Sequence, residues 1–243
     1  YPLKEARKFA NDGCWEVQIP GKTYFIYHPF DALRILLDST LCLDGTPKTY
    51  KSMEELYQAF YKNLQSVVEA IYAAPFWNKK SEGPADGMYK SYEEILRLLQ
   101  RLNVSPEGFV FQGSPGFLGN GVTAYDTDAA RDLIRRALKS PEDDPLYVVA
   151  IGAITNVASA ILLEPEIIKH IVVVWLGGQP WHWPDTCEFN LGQDICAARV
   201  VFDSGVPLVQ IPCSGVASHL LTTVPELERH VKGKGAIGDY LFQ

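Results

Sequence analysis

No block of lysines or arginines occurs in this chain, and its formal net charge is −7. A nucleic-acid partner, which needs a basic face, is therefore not expected. No apolar run approaches the ~18 residues of a membrane span, and no signal-peptide pattern opens the chain. A membrane partner is not expected either. No CxxC pair is present, and the five cysteines (Cys14, Cys42, Cys187, Cys196 and Cys213) are scattered and odd in number. This argues against a disulfide framework or a zinc site and fits a reducing, cytoplasmic setting. Each thiol reads first as a small buried hydrophobe. Internal repeats and low-complexity segments are absent. The first residue is Tyr1 rather than Met, and Gln243 ends what reads as an unfinished segment, so a piece or a composite is expected.

What is present is ample apolar material. Hydrophobic residues make up 47% of the 243, enough for one large domain or two small ones. Two apolar runs, YVVAIGAITNVASAILL from Tyr147 and IVVVWLGG from Ile171, read as buried parallel strands. Strand words (FVFQGS, LYVVAIG, HIVVVWLGG, PLVQIPC) alternate with helical words (DTDAARDLIRRALKS, TNVASAILLEP, and QDICAARVVFDSG ended by Gly205). That alternation predicts an α/β fold with a parallel sheet and flanking helices. SYEEILRLLQRL predicts an amphipathic helix capped by Ser91, with Glu94 at the third position. VVEAIYAAPF reads as a short buried strand or the tail of a helix.

Residues 1–66 read as a separate, mostly helical and loop segment, and 67–243 as the α/β domain. YPLKEARKFANDGCWEVQIPGKTYF is loop-rich and aromatic. Phe30, Leu33, Leu36 and Leu37 share one face of a predicted helix. Ser52 with Glu55 fits a capping box at the start of another.

Polar residues gather just beyond the apolar runs, where open α/β sheets place their ligand sites. After Gly177 and Gly178 comes QPWHWPDT and then CEFNLGQD. Glu188 and Asn190 flank Phe189, so on an extended segment both point the same way. A carboxylate beside a carboxamide suits neighbouring sugar hydroxyls, since Glu accepts and Asn both accepts and donates. A tryptophan beside them suits stacking on a flat ring. The bland alternative makes Asn190 a helix N-cap and Glu188 an exposed loop acid. Thr155 and Asn156, at a strand-to-helix junction, read equally as cap residues or as groups aimed into the crevice.

Here the chain resembles the inosine-uridine-preferring nucleoside hydrolases. The matching words are DPLYVVAIGAITNVASAI, IVVVWLGG and CEFNLGQDICAARVVFDSGVPLVQIPC. The likeness runs back through AIYAAPFWNKKSEGPADGMYKSYEEILRLL and on to TTVPELERHVKGKGAIGDYL, roughly residues 67–243. It implies a Rossmann-like fold and hydrolysis of the N-glycosidic bond of ribonucleosides, giving base and ribose. It also implies a Ca²⁺ that binds the ribose hydroxyls and the attacking water, and an aspartate base. A homo-oligomer is plausible by the same likeness. Position by position, Thr155 matches a residue whose main-chain oxygen ligates calcium, and Glu188 and Asn190 match a ribose-binding pair. His182 or Asp185 stands in for a further ribose-binding Asn that the short loop lacks, and Leu176 replaces a frequent Met.

The chain also departs from the pattern. No DxDxxxDD word, the family's main source of calcium ligands and of the base, precedes residue 67. Asp126, Asp128 and Asp132 in DTDAARD lie at the start of a helix, where capping by Asp126 or Asp128 is expected. No catalytic residue is assigned. The leading expectation is a nucleoside hydrolase-like domain with weak or absent hydrolysis. The alternative is a non-catalytic module that binds nucleoside or ribose. Separately, EARKFANDGCWEVQIPGK and KSMEELYQAFYKNL resemble glycyl radical enzymes of the pyruvate formate-lyase type, through Gly13, Cys14 and Glu16. A fragment of such an enzyme is the third expectation, although the radical-bearing glycine loop is missing.

Overall fold

The computed structural model describes residues 68–119 and 122–243, together with the backbone of three strands within residues 6–26. The chain divides into two compact units, Tyr1–Glu69 and Ala70–Gln243. In the first, strands β1 (Ala6–Lys8), β2 (Trp15–Ile19) and β3 (Lys22–Ile26) form an antiparallel sheet in the order β1-β2-β3. A loop-rich stretch was expected here. WEVQI in fact alternates apolar and polar residues, KTYFI is rich in β-branched and aromatic residues, and two residues separate Ile19 from its partner Lys22. The intervening Pro-Gly is itself a turn signal. The helices expected around residues 30–37 and from Ser52 lie outside the described residues.

The second unit is built on parallel strands. β4 (Ile71–Tyr72) pairs with β5 (Val110–Phe111). β6 (Leu146–Ala150), β7 (Ile171–Leu176) and β8 (Leu208–Ile211) form a second sheet with β7 in the centre. Helices occupy the connections: α1 (Pro84–Leu102), α2 (Asp128–Ala137), α3 (Thr155–Leu163), α4 (Phe189–Gln193) and α5 (Ile195–Asp203). Two more, α6 (Val224–His230) and α7 (Gly235–Leu241), follow β8. This is the α/β architecture that the alternation of words predicts.

The core lies on one side of the β6-β7-β8 sheet. Ile171, Val173 and Trp175 alternate inward along β7 and are fully buried. They join Ala158, Ala160 and Ile161 of α3 and Ala197, Ala198 and Val201 of α5 in one cluster. Small alanines on both helices allow close approach to the sheet. The outward residues are less covered than the expected double burial. Val149, Val174 and Val209 form one cross-strand row, in which Val149 is 68% and Val209 47% exposed. β6 pairs with β7 alone among the described strands, so it behaves as a half-buried edge.

Two expected caps fall elsewhere. α1 begins seven residues before Ser91, with Pro84 in its first turn, where the missing N–H costs nothing. Glu94 is therefore interior, and instead of capping it accepts from Tyr240 Oη of α7 at 2.9 Å and from Arg97. In α2 the cap is Thr127, whose hydroxyl accepts from Ala130 N, and neither Asp126 nor Asp128 takes that role. Asp126 lies one residue too early and pairs with Arg131 at 2.5 Å, while Asp128 sits in the first turn. There its charge complements the helix dipole.

Asp132, the third acid of that word, is buried and ties α2 to β4. It accepts from Tyr72 Oη at 2.9 Å and Arg136 Nε at 2.7 Å, and also pairs with Arg135. Burial pushes its carboxyl up, but the bonds from Arg136, Arg135 and Tyr72 outweigh it and hold the group below its ordinary range. Burial, then the Asp132 charge, pushes the Tyr72 phenol up. A carboxylate depressed in the folded state stabilises above its unfolded pKa of about 4, and that stability is lost as pH falls through the lower folded value. Asp132→Asn is expected to cost about 3 kcal/mol at pH 7, as for a broken buried pair. In urea denaturation the gap between variant and wild type should narrow below about pH 4; a gap independent of pH would contradict this account.

Candidate functional site

Within each of the two sheets the strands run parallel, and several polar side chains bond the backbone beyond their carboxyl ends. Asn156 of α3 accepts from Ser114 N (2.8 Å) and Ser114 Oγ (2.9 Å), and donates to Ala73 O (2.9 Å). It thereby ties α3 to the exits of β4 and β5. Asp194 accepts from Thr155 Oγ1 (2.7 Å), Leu118 N (2.9 Å) and Ala197 N (3.0 Å). Both residues are buried, and each makes three hydrogen bonds, as burial demands.

Glu188 and Asn190 do the same for β6 and β7. Glu188 is the N-cap of α4 in an extended conformation. Its Oε1 accepts from Asn190 N (2.9 Å), and its Oε2 from Leu191 N (2.9 Å) and Gly178 N (2.8 Å). Asn190 Nδ2 donates to Leu176 O (2.8 Å) and Ile151 O (3.3 Å), bridging the ends of two neighbouring strands. The pair of carbonyls fixes which way the amide faces. The two glycines have local reasons. A Cβ on Gly177 would stand 2.4 Å from the buried Trp175 ring, and Gly178 has φ +74°.

The sequence-predicted residues are thus partly redistributed. The cap is Glu188 rather than Asn190, and the two side chains do not lie on one extended segment, because Phe189 already begins α4. Thr155 and Asn156 do not cap α3 either: its N-cap is Ile154 without a side-chain bond, and both reach across the fold instead. His182 is exposed on the loop after Gly178, with its ring 6.3 Å from that of Trp183. Asp185 accepts from Cys187 N at 2.9 Å and so shapes that loop. Asp194 escaped the sequence reading. Its signal was its place before ICAAR, where an acid caps a helix; its bonds to Leu118 and Thr155 had none. A cleft of about 550 Å³ opens between α3 and α5, and none of Thr155, Glu188 or Asn190 lines it.

What these groups have left is chemically specific. A carboxylate offers about four acceptor positions, and Glu188 fills three, two of them on Oε2. Both Nδ2 hydrogens of Asn190 are used, while Oδ1 has no protein donor among the described residues. The remaining capacity is to accept. The sequence had credited Asn190 with donating as well, and strand carbonyls take that capacity.

Residues 60–241, three quarters of the chain, match the family described as inosine-uridine preferring nucleoside hydrolase. The chain belongs to that family. It is 37% identical over 91 residues to a putative pyrimidine-specific ribonucleoside hydrolase RihB of Shigella boydii, covering 36% of this chain and 37% of that protein. It is 36% identical over 91 residues to the pyrimidine-specific ribonucleoside hydrolase RihB of Escherichia coli, covering 36% and 28%. The chain therefore spans only about a third of the length of these relatives. Among solved structures, a purine-preferring ribonucleoside hydrolase from Gardnerella vaginalis superposes with TM-score 0.51 at 26% identity, over 64% of this chain and 57% of that one. The family match starts at residue 60, so the glycyl radical likeness gains no support from it. Gly13 and Cys14 lie outside the described residues, and Glu16 falls within β2.

Calcium, which the family likeness implies, does not fit the described residues of this nucleoside hydrolase relative. A hard divalent cation takes six to eight oxygens. No group of three or more His, Cys, Asp or Glu converges among the described residues. Beside Thr155 stands a lone carboxylate among the described residues, Asp194, bonded to Thr155 Oγ1 and to the N–H groups of Leu118 and Ala197.

Asn190→Ala leaves two strand-end carbonyls without their donor and is expected to cost about 2 kcal/mol. Asn190→Asp should cost more, because a carboxylate would face those carbonyls. Urea denaturation of both variants checks this; an Asp variant as stable as wild type would refute the bridging role.

Proposed function

We propose that this chain forms the ribose side of a ribonucleoside site, centred on Glu188 and Asn190, with His182 on the adjoining loop. One observation carries the reading. After their structural bonds are made, Glu188 Oε1 and Asn190 Oδ1 retain acceptor capacity and no donor remains. Such a pair suits a ligand that donates, and the vicinal hydroxyls of ribose do so. Membership of a nucleoside hydrolase family and the placement of these groups at the carboxyl ends of β6 and β7 support the same ligand class. Residues 67–243 then form the nucleoside-binding domain, and 1–66 a separate segment.

The reaction of the family would be hydrolysis of the N-glycosidic bond, with water displacing the base from ribose. The described residues supply orientation of the sugar. Each hydroxyl that donates to Glu188 or Asn190 fixes the ring relative to the sheet, and fixing a reactant lowers the entropic part of the barrier. They do not supply a converging acid cluster to activate water, and the sequence has no Asp-rich word before residue 67. Hydrolysis by this chain is therefore expected to be weak or absent.

Isothermal titration with ribose, inosine and uridine, with and without Ca²⁺, tests the binding. Millimolar ribose binding that does not need calcium, and that weakens in Asn190→Ala, is expected. A reducing-sugar assay tests turnover. Calcium-dependent ribose release at the rates of a working nucleoside hydrolase would overturn the proposal of impaired hydrolysis, and no binding of ribose or nucleoside would overturn the site.

A further inference from the structure

One edge of the second unit's larger sheet keeps its bonding groups unspent. Leu146 N donates to His170 O, beside β7, at 2.8 Å. Backbone groups alternate along a strand, so Leu146, Val148 and Ala150 face β7. The N–H and C=O groups of Tyr147 and Val149 face the other way, where no described strand pairs with β6. The same stretch is apolar on the outer face of the sheet. Tyr147 is 63% and Ile151 76% exposed, with the exposed Val149 between them. No charged residue lies within Leu146–Ala150. An uncharged edge with open backbone groups is a template for another strand. β8, the other edge of that sheet, is better protected. Pro207 and Pro212 bracket it, and Val209 is its single exposed side chain.

We propose that β6 pairs antiparallel with β6 of a second copy of this chain, joining two three-stranded sheets into one of six strands. Three features favour a second copy as the occupant. First, β6 is self-complementary about Val149. A two-fold axis there lets Val149 exchange two backbone hydrogen bonds with its own equivalent. Second, Val149, Val174 and Val209 stand in register across the sheet, and that row continues without a break into the same row of the copy. Apolar neighbours across a strand pair stabilise it. Third, Glu142, Asp143 and Asp144 are exposed just before β6. Antiparallel pairing puts the two acidic triplets at opposite ends of the contact, whereas parallel pairing sets like charges side by side. An isologous contact of this kind closes as a dimer and leaves no free edge to propagate. It stands whether or not the strand ends bind ribose.

Sedimentation velocity of the full chain over a range of concentrations tests the contact, and a monomer–dimer equilibrium is expected. Val149→Lys sets two like charges opposite each other at the axis, and Val149→Pro removes the N–H that the pairing needs. Each should weaken the dimer by about tenfold or more. Because Val149 is exposed and its N–H points away from β7, both variants should keep the wild-type circular dichroism. Val209→Lys, two strands from the axis, should leave the dimer unchanged. In wild type, the amides of Tyr147 and Val149 should exchange with deuterium more slowly as concentration rises, a readout that needs no variant to fold. A chain that stays monomeric at about 100 μM overturns the proposal. So does a dimer in which those two amides gain no protection, or one indifferent to Val149→Pro. An equal loss in Val209→Lys and Val149→Lys assigns the contact to the sheet face and also overturns it. Assembly beyond the dimer overturns the two-fold pairing.

Discussion

A parallel sheet leaves a problem at its carboxyl ends. Each strand stops inside the protein, and its last carbonyl and N–H groups point where no strand continues. Burial makes such groups costly unless something bonds them. Among the described residues, side chains that meet that demand include Asn156 for β4 and β5, Asn190 for β6 and β7, Glu188 for the turn at Gly178, and Asp194 for the junction of α3, α5 and the loop at Leu118. The fold depends on these contacts because they join segments as much as 83 residues apart in sequence.

That constraint governs the chemistry available. A residue that must hold the backbone offers a ligand only its spare lone pairs. Glu188 and Asn190 keep acceptor positions, while the amide hydrogens of Asn190 are spent on strand carbonyls. Thr155 and Asp194 bond to each other, and no acid cluster forms beside them among the described residues. The strand ends of the second unit therefore offer spare acceptors, and no converging group of carboxylates accompanies them among the described residues.

Much of this was legible from the chain. Apolar β-branched runs located β6 and β7, Gly205 ended α5, and the order of words pointed to the family. The errors share one cause. Ser91, Asp126 and Asn190 are reasonable caps when only three or four neighbours are considered, but the actual caps are set by where the helices begin in space. Pro84 starts α1 early, Thr127 sits at the turn into α2, and Glu188 is pulled to the start of α4 by Gly178 N. The hairpin of β2 and β3 was missed for a simpler reason: aromatic residues beside Pro and Gly were read as loop, although β-branched and aromatic residues are strand formers.

The sequence by itself determined the alternation of strands and helices in the second unit, the family and the short list of polar residues near the strand ends. These follow from local periodicity and residue type, which a linear chain displays directly. Only the tertiary structure decided what those residues have left to offer. Whether Asn190 donates to a sugar or to Leu176 and Ile151 depends on where two strands end, one of them 39 residues away in sequence. Hydrogen-bond valence is a finite quantity shared among spatial neighbours, and no pattern along the chain records how it is divided.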